Sequence, residues 1–302
     1  MITAHMNADG DAYASVLAVA HLLKKLRKEY VIVFHDERID EKYRFLEGFE
    51  EITSYKDFSG ANIQAAIILD VPGRKRIGDP ANLLPPPERC VKIDHHPFEE
   101  EIAHINLVDT NASSTSQLVY EVVQESRVEL DDALATQLFT GIMYDTGRFS
   151  FSNTRQRDFE IAANLLKFSV RPHEIANRLF FDNSFQSMKI IGYGLANMQT
   201  FLNGKLAIIH LPLEVMKQNN HSEIEELANY SVAVRGVEVG LFVREVKPNY
   251  FKISFRSRGR VNVNAIARVF GGGGHLHAAG CRFTGTYPDL QQRLIQEVEK
   301  HL

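Results

Sequence analysis

The chain reads as an α/β protein. It has a mostly parallel sheet with helices on both faces, followed by a smaller α/β domain. Three observations lead there. Short apolar runs alternate with segments of helical apolar spacing through the first 150 residues, the pattern of βαβ units. Acidic and histidine clusters follow the apolar runs directly, and open parallel sheets bind ligands at the carboxyl ends of their strands. After about residue 180 the pattern becomes strand-rich, which marks the second domain.

The elements follow in order. Residues 1–4 form the first apolar strand, and 12–28 carry Val16, Leu17, Ala20, Leu23 and Leu26 at helical spacing. Strands are expected at 31–34 and at 65–71, the latter ending at Asp70 and broken by Pro72-Gly73, with a short helix or turn at 45–49 between them. Pro85-Pro86-Pro87 stiffens the loop at 80–87. The strand at 90–93 is closed by Asp94-His95-His96 and Pro97. Helical spacing recurs at 114–124, 130–144, 159–167 and 172–179, where Pro172 suits a first turn. Residues 183–198 read as a linking helix, 206–211, 232–234, 237–244 and 250–256 as strands, and 223–230 and 264–270 as helices. The expected division is a catalytic domain at 1–180, a linker helix at 181–200 and a substrate-binding domain at 201–302.

A length of 302 residues allows two domains, and 44% apolar content is ordinary for a globular chain. The net charge of -4 argues against non-specific binding of long nucleic acid, which needs many Lys or Arg contacts to phosphate. A short phosphorylated substrate stays open. Cys90 and Cys281 match no metal or redox spacing and read as small buried hydrophobes in a reducing compartment. With no secretory signal or membrane-length apolar run visible, the expected location is the cytoplasm, without a membrane partner. The helix patterns of the first domain suit either a homodimer interface or a core.

The chemistry concentrates at four strand ends. His5, Asp9 and Asp11 share one loop, in which Gly10 is expected to relax the backbone. His5 and Asp9 can face one cation and Asp11 a neighbouring one. A carboxylate at Asp70 can bridge both with its two oxygens, and His95 and Asp145 complete the second set. Aspartate after a strand is also a common helix N-cap, and Asp9, Asp11 and Asp145 border helices or turns. The set as a whole favours cations, because acids crowded together without them repel. Mixed imidazole and carboxylate donors favour two Mn²⁺, with Mg²⁺, Co²⁺ or Zn²⁺ as alternatives. Asp94 is expected to orient an imidazole. His96 would donate a hydrogen bond to a phosphate oxygen or shuttle a proton.

In the second domain, Gly271-Gly272-Gly273-Gly274 suits neither a strand nor a helix. It reads as a site where backbone amides line an anion site for a terminal phosphate or nucleotide, with His275 adding a side-chain hydrogen bond. Arg256 ends a strand pattern, and its guanidinium fork suits phosphate.

These motifs resemble the DHH phosphoesterase family, in the branch that also carries a DHHA1 domain. The matching residues are His5-Met6-Asn7-Ala8-Asp9-Gly10-Asp11, Asp70, Asp94-His95-His96, Gly141-Ile142-Met143-Tyr144-Asp145-Thr146-Gly147 and Gly271-Gly272-Gly273-Gly274-His275-Leu276-His277-Ala278-Ala279-Gly280. Ala8 stands where family members often have proline, and His277 where they often have asparagine. The resemblance implies His5, Asp9 and Asp70 on one Mn²⁺, and Asp11, Asp70, His95 and Asp145 on the other. It also implies substrate contact by the arginine of Ser254-Phe255-Arg256-Ser257. The implied activity is hydrolysis of short oligoribonucleotides to mononucleotides, and of 3′-phosphoadenosine-5′-phosphate to AMP, by water activated between two metals. The second domain would grip the far end of the substrate. Competing readings are a cyclic or linear dinucleotide phosphodiesterase (c-di-AMP, pApA, pGpG), an inorganic pyrophosphatase and a non-catalytic nucleotide-binding module.

Overall fold

The computed structural model describes residues 1–36, 39–60, 62–217 and 224–302. The chain divides into two compact units, Met1–Asp182 and Asn183–Leu302.

The first unit is built on six strands: β1 (Ile2–Thr3), β2 (Ile32–Phe34), β3 (Ile52–Ser54), β4 (Ala66–Leu69), β5 (Cys90–Asp94) and β6 (Ile105–Val108). They lie in the order β3-β2-β1-β4-β5-β6 and every pair is parallel. The winding direction reverses between β1 and β4. Doubly wound sheets open a crevice at such a switch point, beyond the carboxyl ends of the strands. His5 and Asp70 follow those two strands, and Asp94-His95-His96 ends the next one.

Among the described residues, six α-helices accompany the sheet: α1 (Gly10–Lys25), α2 (Arg74–Ile77), α3 (Thr115–Ser126), α4 (Asp132–Asp145), α5 (Gln156–Leu165) and α6 (Pro172–Ala176). Helix α1 is buried at nearly every position from Gly10 to Leu22, because it lies between the sheet and the pair α3 and α4. That position suits a helix apolar all round. Ile2, Ile32, Phe34, Leu69 and Ile93 face it from the sheet. On the opposite face Ala66, Ile68 and Cys90 pack against Val71, Ile77, Ile102 and Ala103. Asp131 caps α4 through the Leu134 amide (3.0 Å) and also binds His21 and Lys25 near the end of α1.

The second unit comprises α7 (Phe185–Ala196), β7 (Gln199–Phe201), β8 (Leu206–Leu211), α8 (Leu213–Met216), α9 (Leu227–Tyr230), β9 (Val239–Lys247), β10 (Tyr250–Ser257), α10 (Val263–Val269), β11 (Gly273–Gly274), β12 (Ala278–Thr284) and α11 (Tyr287–Glu299). Its sheet runs β11-β12-β10-β9-β8-β7, with only the β8–β9 pair parallel. Helices α10 and α11 cover one face, where Phe251, Ile253 and Phe255 meet Ile266, Leu290, Leu294 and Val298. Helices α7 and α9 cover the other, with Ile190, Ile191 and Leu227 against Ile209, Leu211 and Phe242.

Several elements differ from the sequence expectation. The turn expected at 45–49 is present, flanked by 3₁₀ turns at Glu41–Tyr43 and Phe49–Glu51 that carry no sequence assignment, and β3 follows. No strand forms at 232–234. Ser231 and Val232 instead press on the backbone of Gly240, where an added Cβ would lie 2.2 Å from Ser231 Oγ. The helix expected at 223–230 is short, spanning Leu227–Tyr230, and residue 223 lies outside the described residues. Gly273–Gly274 forms an edge strand, pairing with Gly280 and Ala279. Strands β3, β6 and β7 and helix α11 carry no sequence assignment. Helix α11 nonetheless has Leu290, Leu294 and Val298 four apart, all fully buried.

The second unit should be acid-sensitive through His210. Its ring stacks on Tyr287 at 3.6 Å between centroids. Burial pushes its pKa from 6.5 down to about 4, against the opposing charge of Glu245. Between those values the unfolded chain binds a proton that the folded one refuses, so stability is full above pH 6.5 and falls as pH drops toward 4. Thermal melts from pH 7 to 4.5 should show a decline of which His210→Phe removes about 3–6 °C. An unchanged pH slope in that variant would exclude the histidine as its source.

Candidate metal centre

Asp70 stands at the middle of the clustered side chains. It follows β4 with a left-handed backbone (φ 59), a conformation that Asp and Asn tolerate better than other non-glycine residues. The residue is 2% exposed. One carboxylate oxygen, Oδ2, lies 3.3 Å from His5 Nε2. The other, Oδ1, lies 3.4 Å from His95 Nε2 and 3.4 Å from His96 Nδ1, and accepts from Thr115 Oγ1 at 2.9 Å.

The remaining groups arrange themselves around those two oxygens. His5, Asp9 and Asp70 each offer a donor atom within 4.8 Å of the others, and so do Asp11, Asp70 and His95. Asp70, Asp94 and His96 form a third such group. Asp145 ends helix α4 and not a strand as expected, and joins through His95, whose Nε2 is 3.1 Å from Asp145 Oδ2. Asp9 also caps α1, accepting from the amides of Asp11 and Ala12, so cap and cluster member are one residue. Asp11 is fully buried and accepts from the Thr115 and Ser116 amides at 2.6 and 2.9 Å. The first turn of α3 therefore fixes its carboxylate, and a helix N-terminus favours an anion.

The donor set fits divalent cations. His5 Nδ1 faces the Met6 carbonyl at 3.1 Å, and His95 Nδ1 faces the Ala112 carbonyl at 3.4 Å. Donation to those carbonyls fixes each ring with Nε2 toward the carboxylates, the usual way a ligating imidazole is oriented. Burial, with Asp70 and Asp145 nearby, pushes the Asp11 carboxyl well above its ordinary range. Burial also lifts Asp145 to about 6, against the pull of His95. Asp70 stays well below its ordinary range despite burial, because His5 and His95 hold its charge. Carboxylates packed this closely ionise together most readily around positive charge.

His96 is tied differently. Its Nδ1 donates to Asp94 Oδ1 at 2.8 Å, and its backbone amide donates to the same oxygen at 3.1 Å. Asp94 is fully buried.

Gly10 owes its identity to a neighbour and not to backbone freedom. It opens α1, and an added Cβ would lie 2.4 Å from Cγ and Cδ2 of the Tyr144 ring. Other residues that shape the site escaped the sequence reading. Thr115 and Ser116 bind the acids, and Asp36 accepts from the Asn7 and Ala8 amides at 2.9 and 3.1 Å, holding the loop that carries His5 and Asp9. Lys92 is fully buried 3.2 Å from Asp94, and Gly141, quoted above only as part of the Asp145 motif, lets α4 approach Asp11. Of these, only Gly141 left a sequence signal, its position one helical turn before Asp145.

The second unit holds Arg256, Gly271, Gly272, Gly273, Gly274 and His275 on neighbouring segments. Arg256 Nε donates to Asn229 Oδ1 at 3.0 Å, and the register sets Arg256 opposite Ala278. The glycine run differs from an open anion cradle. The amides of Gly271 and Gly272 donate to the Arg268 and Ala267 carbonyls at the end of α10 (3.0 and 2.9 Å). An added Cβ on Gly272 would lie 2.1 Å from the Gly280 carbonyl, and one on Gly274 2.5 Å from that of Ala278. The close approach that requires glycine is thus to β12 of the chain itself.

Comparison with known proteins places this arrangement. Residues 1–142 match the DHH family, N-terminal domain, and residues 205–302 match the DHHA1 domain. The chain is 32% identical over 304 residues to the bifunctional oligoribonuclease and PAP phosphatase NrnA of Thermus thermophilus, covering 100% of this chain and 89% of that protein. The chain belongs to the DHH phosphoesterase family. DHH phosphoesterases are metal-dependent, and this member is a hydrolase. The chain is also 29% identical to the NrnA of Bacillus subtilis, covering 98% of this chain and 92% of the relative. A crystal structure of an exopolyphosphatase-related protein from Bacteroides fragilis superposes with a TM-score of 0.91 at 27% identity, over 99% of this chain and 91% of that one. Among the described residues of this DHH phosphoesterase, no helix is long and apolar enough to cross a membrane.

Proposed function

We propose that this DHH phosphoesterase hydrolyses short oligoribonucleotides to mononucleotides and 3′-phosphoadenosine-5′-phosphate to AMP, using two Mn²⁺ ions or Mg²⁺, Co²⁺ or Zn²⁺ in their place. The observation that carries this reading is the division of Asp70 between two donor sets, Oδ2 toward His5 and Oδ1 toward His95. A carboxylate so shared suits a pair of ions a few ångströms apart. One ion would be held by His5, Asp9 and Asp70, and the other by Asp11, Asp70, His95 and Asp145. The names of the relatives from Thermus thermophilus and Bacillus subtilis supply the substrate class.

Bound there, the ions would acidify a water and offset charge on the phosphoryl oxygens. The chain's residues do the rest. Asp70 and Asp11 keep their carboxylates fixed through Thr115 and Ser116, so no reorganisation is needed when charge develops. Asp94 holds the His96 ring by its Nδ1 proton, so Nε2 is the nitrogen proposed to face a phosphate oxygen and exchange a proton with it. Water adds to phosphorus, the P–O ester bond breaks, and the departing ribose oxygen takes up a proton. Arg256 and His275 are proposed to bind a terminal phosphate. The engaged amides of Gly271 and Gly272 leave that task to side chains.

A substrate panel with Mn²⁺ tests the reading. Short RNA, pApA, pGpG and 3′-phosphoadenosine-5′-phosphate should be turned over, and inorganic pyrophosphate should not. Turnover of pyrophosphate alone would reject it in favour of a pyrophosphatase. Arg256→Ala should raise KM about tenfold for pApA, with less effect on ApA, since a charged hydrogen bond to phosphate carries about that energy. Equal effects on the two substrates would remove Arg256 from phosphate recognition.

A further inference from the structure

We infer that Lys92 is a positioning residue for hydrolysis, acting through Asp94 on His96. The inference rests on the proposed placement of His96 at the reacting phosphate.

Lys92 sits in β5, between β4 and β6, with Ile68 and Asn106 as its register partners. Side chains two apart on a strand share a face, so Lys92 points to the same side as Cys90 and Asp94. That side is the apolar cluster of Ala66, Ile68, Val71, Ile77 and Ala103. Lys92 is 0% exposed there, and a lysine is almost never fully buried without a partner. Its ammonium donates to the Pro72 carbonyl at 3.1 Å and lies 3.2 Å from Asp94 Oδ2.

A buried ion pair is a poor source of stability, because removing two charges from water is costly and an apolar pair of similar volume often does as well. Methionine at position 92 would fill the same space among aliphatic neighbours. What methionine cannot do is hold Asp94. The Lys92 ammonium faces Oδ2 as a charge pair at 3.2 Å, without a hydrogen bond to it, while Oδ1 accepts from the ring and backbone of His96 at 2.8 and 3.1 Å. Lysine, aspartate and histidine therefore form one line from the apolar core to the cluster, each fixing the next.

The experiment compares Lys92→Met, Asp94→Asn and the double variant by steady-state kinetics on 3′-phosphoadenosine-5′-phosphate with Mn²⁺. Partners that orient an active-site histidine are typically worth 10- to 100-fold, so Lys92→Met should lower kcat about 30-fold and change KM less than about threefold. Lys92→Arg, which keeps the charge, should recover part of the loss. The double variant should match Asp94→Asn alone, because the lysine's effect on turnover passes through that carboxylate and not through its hydrogen bond to Pro72. A folded Lys92→Met enzyme with wild-type kcat would overturn the inference. So would a double variant tenfold slower than Asp94→Asn. Should Lys92→Met fail to fold because it strands the Asp94 charge, the comparison of the double variant with Asp94→Asn still decides. Loss of all nucleotide turnover in the wild type would instead reject the proposed substrate and leave the lysine geometry untouched.

Discussion

Asp70→Asn should lower kcat by roughly a thousand-fold or more, the scale on which essential charge-stabilising groups act. Asparagine is the informative replacement. It keeps the side-chain volume, keeps an acceptor for Thr115 Oγ1 and tolerates the left-handed backbone at this position. Alanine would add strain and blur the result. Without its charge, residue 70 cannot serve both donor sets, so calorimetric titration with Mn²⁺ should also show weakened binding. The thermal midpoint should stay within about 5 °C of wild type, since the side-chain volume and the Thr115 contact survive. An Asp70→Asn enzyme within tenfold of wild-type kcat would end the two-ion account, whatever its fold.

The second large effect concerns packing. Gly141→Ala should cost about 3 kcal/mol of stability, at the upper end of the usual price of overpacking. The new Cβ would sit 1.9 Å from Ser116 Oγ and 2.6 Å from Asp11 Oδ1, and α1, α3 and α4 meet at that point. Neither group can retreat freely, because Ser116 is held in the first turn of α3 and Asp11 is pinned to the Thr115 and Ser116 amides. The same substitution should cut turnover at least tenfold by displacing Asp11 from its donor set, since a misplacement of about 1 Å can cost a hundred-fold. Urea melts and kinetics read the two effects separately. Adding Ser116→Ala removes the nearest atom and should restore part of the stability. A Gly141→Ala protein within about 0.5 kcal/mol of wild type would mean that the helices shift apart at little cost.

Particular residues show how far the site is legible in the sequence. Asp70, Asp94, His95 and Asp145 each close an apolar run, and that juxtaposition alone made them candidates. Lys92 was hidden for the opposite reason. A lysine within a short apolar strand reads as its solvent side, and only the neighbours β4 and β6 bury it. The glycine run drew attention correctly, but its reason was misread. What presses against it is β12, whose residues follow within a short turn and fold back as an antiparallel neighbour. Helix α11 was available in its four-residue spacing, whereas β6 was not, because its Ile105 and Leu107 are exposed at the sheet edge and follow no buried pattern.

Local chemistry, then, was written along the chain: where strands end, which side chains stand there, which residues cap a helix, and which family the motifs share. Those properties depend on neighbours within a few positions and on periodicity. The division of the Asp70 carboxylate between His5 and His95, the grip of α3 on Asp11 and the line from Lys92 to His96 depend on groups from residue 5 to residue 145 converging at one switch point. Their distances follow from the order in which parallel strands pair and from how closely the covering helices approach, and no local pattern encodes either.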